Sequence, residues 1–437
     1  MLSPKAGRAR IEVLDVIRGV AIVLIFFFNL PTMGNSNYEH FGAIRLLGWS
    51  PADQICWWFL RVFLEGTQRG MLQILFGAGA LIILERTLEP GGPVDPADLY
   101  FRRNLWLALF GLFDIFALLW FGDILLAYAT AAMFLFPFRK LSAATLLAVA
   151  MLFAAGTTMK GSISYREHIQ MKASAARARD LQNQHLPLSL SDRNALDGQE
   201  KALALYHPPA SALQTERDAR LGTLAVYVSF MHGIWTKYLI RGGGLWDEIV
   251  YSFFSMLLGM ALFKFGITQG RRTIRFYLCL ALFCYCIGLP ERIIAAWQLA
   301  ASPGLNNIDA IGGEPARLLV SVGHVAFINC LFKTSVGRKL LSPFRAPGRM
   351  AFSLYLLQNL LGDWILFPAV GFGLWGRYGW VGLTLIGLAL LVFQLILANV
   401  WLRQFAAGPL EWVWRSVAYQ RRQPFRRRAT LSEAGVG

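Results

Sequence analysis

The sequence predicts an all-α, polytopic transmembrane helical bundle of about ten spans, and three observations predict it. The 437-residue chain is 56% hydrophobic and 14% aromatic, with only 16% charged residues, against roughly a quarter charged in an ordinary soluble domain. Apolar stretches of about twenty residues, the length a helix needs to cross a ~30 Å hydrocarbon core, recur from the N-terminal region to Trp401. The formal net charge is +16, yet the basic residues are spread among short loops between those stretches. That placement marks the cytoplasmic side of a membrane protein, and it argues against a nucleic-acid partner. Backbone polar groups in lipid must be satisfied internally, and apolar runs this long select helices over barrel strands.

Taken in order, the first span lies near 14–33. Asn29-Leu30-Pro31-Thr32-Met33 at its end lacks the small-x-small cleavage pattern, so the stretch is expected to remain as an anchor. Further spans are predicted near 66–85, 104–121, 122–138, 141–159, 249–267, 274–291, 316–333, 350–368 and 380–402. Residues 53–64 place Trp57, Trp58 and Phe59 near Arg61 and Glu65, which reads as an interfacial helix ahead of the second span. Threading by the positive-inside rule puts Lys5, Arg8 and Arg10, then Arg86, Arg102 and Arg103, then Arg139 and Lys140 inside.

The fifth span exits into a long polar segment, 160–220, carrying mixed charge and Pro208-Pro209. Residues 222–247 are apolar enough to cross, but a crossing there would move Lys264, Arg271, Arg272 and Arg275 outside. Reading 222–247 as interfacial or re-entrant keeps that loop, the cluster from Lys333 to Arg349 and the tail from Arg421 to Arg428 inside. The expected organisation is a first five-helix half over 1–159, an outer excursion over 160–248, a second five-helix half over 249–402 and a basic amphipathic tail over 403–437. Both termini face the cytoplasm, and Trp412 and Trp414 are expected at headgroup level.

Ionisable groups within spans are expensive in lipid and face a bundle interior or a wet cavity. Asp15 and Arg18, at i and i+3, share one face of the first helix, with Asn29 three turns further out. Arg102-Arg103 and Gly348-Arg349 fall on the same inner side, so with Arg18 they could line one site for a polyanion. Snorkelling to headgroups accounts for each arginine equally well. Deeper lie Arg69 beside Gln68, Asp114, Asp123, and His324 followed by Asn329, with Gln358, Asn359 and Asp363 in the tenth predicted segment's neighbour. His324 reads either as a packed, hydrogen-bonded histidine or, near Asp114, as a general base.

No metal site is expected, since His40, His168, His185, His207 and His232 show no ligand spacing. Phosphate-binding glycine loops and a Gly-x-Ser-x-Gly elbow are also missing. The five cysteines lie in or beside apolar runs and read as small hydrophobes.

Several stretches together resemble YeiB-like bacterial inner-membrane proteins. They are Leu14-Asp15-Val16-Ile17-Arg18-Gly19-Val20-Ala21 with Asn29, Arg69 with Leu75-Phe76-Gly77-Ala78-Gly79, Arg102-Arg103-Asn104-Leu105, and Gly122-Asp123-Ile124-Leu125 with Tyr128, then Pro137-Phe138-Arg139. Gly348-Arg349-Met350-Ala351 with Tyr355-Leu356-Leu357-Gln358, and Gly408-Pro409-Leu410-Glu411-Trp412 with Trp414-Arg415, complete the pattern. The resemblance covers about Asp15 to Pro424 and extends to the transmembrane acyltransferase group that includes heparan-α-glucosaminide acetyltransferases. It implies a multi-pass protein of the bacterial inner membrane that moves an acyl group, acetyl above all, from cytoplasmic acyl-CoA to a hydroxyl or amine at the outer face. The acceptor would be a glycan, a lipid or a small molecule.

In that reading Arg18, Arg102, Arg103 and Arg349 attract the phosphates of acyl-CoA, and Asn29 or Arg69 polarises the thioester carbonyl. His324, Asp114 or Asp123 supplies the catalytic acid–base group. One departure stands out: Gly111-Leu112-Phe113-Asp114 replaces a Gly-Leu-x-His stretch that is common in the family. Two competing functions are a transporter or flippase for a small polar or lipid-linked solute, and a membrane assembly or sensor protein using 160–220 to bind a partner.

Overall fold

The computed structural model describes residues 11–40, 42–84, 95–301 and 308–427. Lys5, Arg8, Arg10, Arg86 and Arg428, used in the charge threading, lie outside the described residues. Seventeen α-helices are described: α1 Glu12–Gly34, α2 Pro51–Phe59, α3 Thr67–Leu84, α4 Asp95–Phe116, α5 Leu125–Met133, α6 Ala143–Asn183, α7 Leu190–Tyr206, α8 Ala210–Arg220 and α9 Leu224–Ile234. They continue as α10 Gly244–Lys264, α11 Ile274–Ala301, α12 Asp309–Phe332, α13 Ser335–Leu341, α14 Arg345–Arg349, α15 Ala351–Leu360, α16 Trp380–Gln404 and α17 Pro409–Ala418. Apart from one isolated bridge between Phe405 and Arg426, the described residues hold no β-structure. The protein is an all-α bundle.

Seven stretches among the described residues are long and apolar enough to cross a membrane: α1, α2 running into α3, α6, α10, α11, α12 and α16. Helices α4, α5 and α15 also pack within the bundle. Of these, α5 is nine residues long and α15 ten, each prolonged by a tighter or wider turn. Most of α5 and α15 is buried against other helices, so neither presents the long uniform apolar face that a lipid-exposed span needs.

The two ends of the bundle are chemically distinct. At one end the Lys264 ammonium donates to the carbonyls of Arg139 (2.8 Å) and Leu141, Arg345 pairs with Glu12 (3.2 Å), and Trp414 donates to the Arg103 carbonyl (2.9 Å). The start of α1, the α5–α6 loop, the end of α10, α14 and α17 therefore share this basic end. The positive-inside rule assigns that end to the cytoplasm.

The two flanks of residues 222–247 both sit at the end of the bundle away from the basic one. Arg220 just before α9 reaches the far end of α1, and Glu248 just after it pairs with Arg69 at the start of α3. Between them, Tyr227 donates to the Asp363 carbonyl (2.7 Å) and the His232 ring contacts the Phe116 carbonyl (3.3 Å). The segment thus lies along the far end of α4 and α15.

The break expected at 159 falls inside α6, which runs 41 residues without interruption, about 60 Å at 1.5 Å per residue. Polarity changes after Lys160, but no proline stops the helix. The rest of the excursion is helical too and is anchored at its end. Glu216 on α8 accepts from the Ser36 hydroxyl (2.5 Å) and the Asn37 amide (2.9 Å), while Arg220 donates to the Asn37 side chain (3.1 Å). Trp57 is buried against Trp49 and Trp58, and the half-buried Trp412 and Trp414 donate to the carbonyls of Gln423 and Arg103.

One close approach positions the site. A Cβ on Gly348 would lie 1.7 Å from the Asp15 carbonyl oxygen, and one on Gly19 1.9 Å from the Phe344 carbonyl oxygen. Without side chains, α1 and α14 touch backbone to backbone, the small-residue packing that substitutes for hydrophobic drive inside lipid. The two motif glycines each precede or follow an arginine, so their contact brings Arg18 and Arg349 together.

Candidate functional site

The basic end opens on an inner cavity of about 230 Å³ among α1, α3, α4, α5, α14, α15 and α17. Arg18, Arg103, Arg349 and Arg415 line it near the surface, and Leu72, Phe76, Tyr128 and Tyr355 line it further in. Arg18 pairs with Asp15 (3.3 Å), Arg349 donates to the Ala406 carbonyl (3.1 Å), and the Arg103 guanidinium stacks 4.3 Å from the Trp414 ring centre. Glu411, the one acid in the wall, is committed elsewhere: it accepts from the backbone amides of Phe352 (2.7 Å) and Ser353 (3.1 Å) and from the Ser353 hydroxyl. Three of the four arginines singled out from the sequence therefore meet at one wall. Arg102 does not; a turn of 100° away on α4, it pairs with Asp98 (3.0 Å).

Toward the far end lies an outer cavity of about 420 Å³. Its wall holds a closed network of charges. Arg69 pairs with Glu248 (2.7 Å) and Glu314 (3.1 Å), Arg317 with Asp309 (2.8 Å) and Glu314, and Arg61 with Asp309 (3.4 Å) and Glu65. Trp57, Trp380, Phe28 and Tyr206 supply aromatic surface, so the end of α7 in the excursion forms part of the wall. Glu39 and His40, in the loop after α1, also face this cavity. Burial, reinforced by Glu65, pushes the Glu39 carboxyl up to about 8.

The two cavities approach each other at α3. The Tyr128 ring lines the inner one, and its hydroxyl donates to the carbonyl of Arg69 (3.0 Å), whose guanidinium lines the outer one.

Of the remaining sequence candidates, Arg69 alone lines a cavity wall. His324 has both ring nitrogens engaged, Nε2 donating to the Phe63 carbonyl (3.0 Å) and Nδ1 accepting from the Tyr285 hydroxyl (2.8 Å). It lines neither cavity and shares no hydrogen bond with Asp114, so the packed reading of this histidine is the one its geometry matches. Asp114 is fully buried and accepts from Asn359 (2.7 Å). Asp123 caps α5, accepting from the amides of Leu125 (3.0 Å) and Leu126 (2.8 Å). Asn29 is buried and lines neither cavity, and Arg69 belongs to the outer wall, where its guanidinium is held by two carboxylates.

Sequence reading passed over the acids and partner arginines of the outer cavity, because Asp309, Glu314 and Arg317 straddle the expected start of a span at 316. The Glu314–Arg317 spacing of one helical turn was the available signal. Among the described residues no group of His, Cys, Asp and Glu is arranged to hold a metal ion.

Comparison with known proteins adds lineage without chemistry. Residues 262–421 match the family described as "Protein of unknown function (DUF418)". The chain is 30% identical over 449 residues to the uncharacterized protein YxaH of Bacillus subtilis (strain 168), covering 98% of this chain and 99% of that protein. It is 25% identical over 436 residues to the uncharacterized 39.9 kDa protein in the amylase 3' region of Bacillus acidopullulyticus, covering 97% and 98%. Identity to the uncharacterized protein YeiB of Escherichia coli (strain K12) is 24% over 426 residues, covering 94% and 97%. No solved structure matches. With a relative at 30% identity aligned over nearly its whole length, the chain belongs to the DUF418 family of YxaH- and YeiB-like membrane proteins.

Proposed function

We propose that the protein is an integral-membrane acyltransferase of the bacterial inner membrane that takes an acyl group from cytoplasmic acyl-CoA. The observation that carries this reading is the meeting of Arg18, Arg103 and Arg349, from helices far apart in sequence, at one cavity on the basic end. Clustered guanidinium groups are suited to phosphates, which they bind through charge-assisted and bidentate hydrogen bonds. A cavity of about 230 Å³ is too small for a whole coenzyme. The pantetheine arm would enter it, and the nucleotide phosphates would remain at the arginine-lined mouth.

The aromatic and aliphatic inner wall excludes water from the thioester, which protects it from hydrolysis. In the transfer step the acceptor oxygen or nitrogen forms a bond to the thioester carbonyl carbon and the carbon–sulfur bond breaks. The proton released by the acceptor ends on the departing thiolate. The outer cavity, with its hydrogen-bonding charges and aromatic surface, is the place for the acceptor.

Titration of the purified protein with acetyl-CoA tests the reading. Binding is expected, and Arg103→Ala should weaken it about 10- to 150-fold, the equivalent of one charge-assisted hydrogen bond of roughly 1.5–3 kcal/mol. Arg102→Ala, whose partner is Asp98, should leave affinity unchanged. Absence of both acetyl-CoA binding and acetyl-CoA hydrolysis in the wild-type protein would refute the proposal.

The same two cavities, separated by the Tyr128–Arg69 contact, also suit a transporter of a small polar or lipid-linked solute that opens them alternately. Solute uptake into proteoliposomes without any acyl thioester would favour transport over transfer.

A further inference from the structure

Between the two cavities lies a residue that neither wall includes. On α3 and the turn before it, Leu64 and Glu65 line the outer cavity, whereas Leu72, Leu75 and Gly79 line the inner one. Residues three and four apart stack on one helix face, and Gln68, one turn before Leu72, falls on the stripe of the inner-cavity residues, just after the bend at Glu65 and Gly66 that separates α3 from Leu64. It is 1% exposed, and both its amide oxygen and its amide nitrogen lack any hydrogen-bond partner among the described residues.

A buried primary amide with neither end satisfied is costly, because the full desolvation penalty of donor and acceptor is left uncompensated. Proteins keep such groups where a ligand or an ordered water completes them. The neighbours of Gln68 are otherwise occupied. Thr67 donates to the Phe63 carbonyl (2.9 Å), the Arg69 carbonyl accepts from Tyr128 (3.0 Å), and Gln73, further along α3, donates to Ser252 (2.9 Å). An amide N–H placed past the deep end of a cavity whose mouth is cationic has the chemistry to receive a carbonyl oxygen at the far tip of an anionic ligand.

We propose that the Gln68 side-chain amide is the carbonyl subsite of the acyl donor, donating a hydrogen bond to the thioester oxygen at the boundary between the inner and outer cavities. This rests on the acyltransferase reading and replaces Asn29 and Arg69 in the role the sequence assigned to them. The acyl carbon would then sit where the acceptor can reach it from the outer side. Charge that develops on the carbonyl oxygen during attack would meet a donor already in place.

The test uses the full-length protein and [1-13C]acetyl-CoA. In the wild type the infrared stretch of the bound carbonyl should fall to lower frequency than in free acetyl-CoA, and Gln68→Leu should abolish that fall while retaining the binding that the arginines provide. Turnover, once an acceptor is in hand, should drop on the order of 10²-fold, the usual loss for one oxyanion donor, with KM for acetyl-CoA changing far less. Gln68→Leu should also melt at the same or a higher temperature, because it removes an unsatisfied buried amide. A lower melting temperature would show that Gln68 makes structural hydrogen bonds and overturns the inference. Bound acetyl-CoA whose carbonyl is identical in wild type and Gln68→Leu overturns it while leaving the acyltransferase reading intact. Failure of the wild type to bind acetyl-CoA at all overturns both.

Discussion

Replacing Arg220 is expected to uncouple the excursion from the bundle by a mechanism that can be measured in parts. The Arg220 and Asp363 side chains are 2% and 1% exposed, and their nearest charged atoms lie 3.8 Å apart. Neither Asp363 oxygen has a hydrogen-bond donor among the described residues, so the guanidinium is the principal compensation for that carboxyl group. Arg220 also donates to the Asn37 side chain (3.1 Å) and the Thr32 carbonyl (3.4 Å) at the far end of α1.

Truncating one partner of a buried ion pair costs roughly 3–5 kcal/mol, whereas replacing both by apolar groups is often neutral or favourable. Arg220→Met and Asp363→Leu should each destabilise the protein by about that amount, and the double variant should recover most of the loss. Thermal unfolding followed by tryptophan fluorescence in detergent gives the four corners of the cycle. Limited proteolysis reports whether α7 and α8 come loose in the single variants alone. Strictly additive losses in the double variant would refute the reasoning, since they would mean that each residue acts through separate contacts.

Two further outcomes follow from the same geometry. Gly348→Ala should force α14 off α1, because the added Cβ would overlap the Asp15 carbonyl at 1.7 Å. It should cost at least the roughly 1–3 kcal/mol of an overpacked contact and weaken acetyl-CoA binding by separating Arg18 from Arg349, while Gly156→Ala, with open space around it, should do neither. Glu39, held near 8 by burial against an ordinary value of 4.5, keeps its proton in the folded state over a range where the unfolded chain has lost it. Stability should therefore fall as pH rises between about 4.5 and 8, and Glu39→Gln should flatten that part of the profile; an unchanged slope in equilibrium unfolding would contradict the assignment.

Much of the architecture was legible because membrane burial imposes a one-dimensional rule. A helix that meets lipid must be apolar for about twenty residues, and this identified the long spans, whereas 222–247 was set apart from them by the placement of Lys and Arg. The rule weakens where helices are shielded by protein. Thus α5 and α15 came out shorter than the spans expected for them, and the polar half of α6 was taken for the start of a loop although helix formation does not require an apolar surface.

The candidate site divides along the same line. Arginines at the basic end could be grouped from sequence because topology alone places them on one side, and Arg18, Arg103 and Arg349 do share a wall. Arg102 could not be separated from Arg103 without the helix phase. His324 looked distinctive as an ionisable residue in a span, yet its Tyr285 and Phe63 partners come from other helices and account for it as packing. Gln68 showed the opposite pattern: an ordinary glutamine beside a conspicuous arginine, informative only once its amide is seen to lack partners.

Composition and charge order by themselves determined that this chain is a multi-pass helical bundle with a basic end, since hydrophobic length and the placement of Lys and Arg are properties of the sequence in order. Only the tertiary structure decided which polar groups meet, because contacts such as Gly19 with Gly348 and Glu248 with Arg69 join residues far more than a hundred positions apart. Helix rotation of 100° per residue then turns one neighbour toward a cavity and the next away from it.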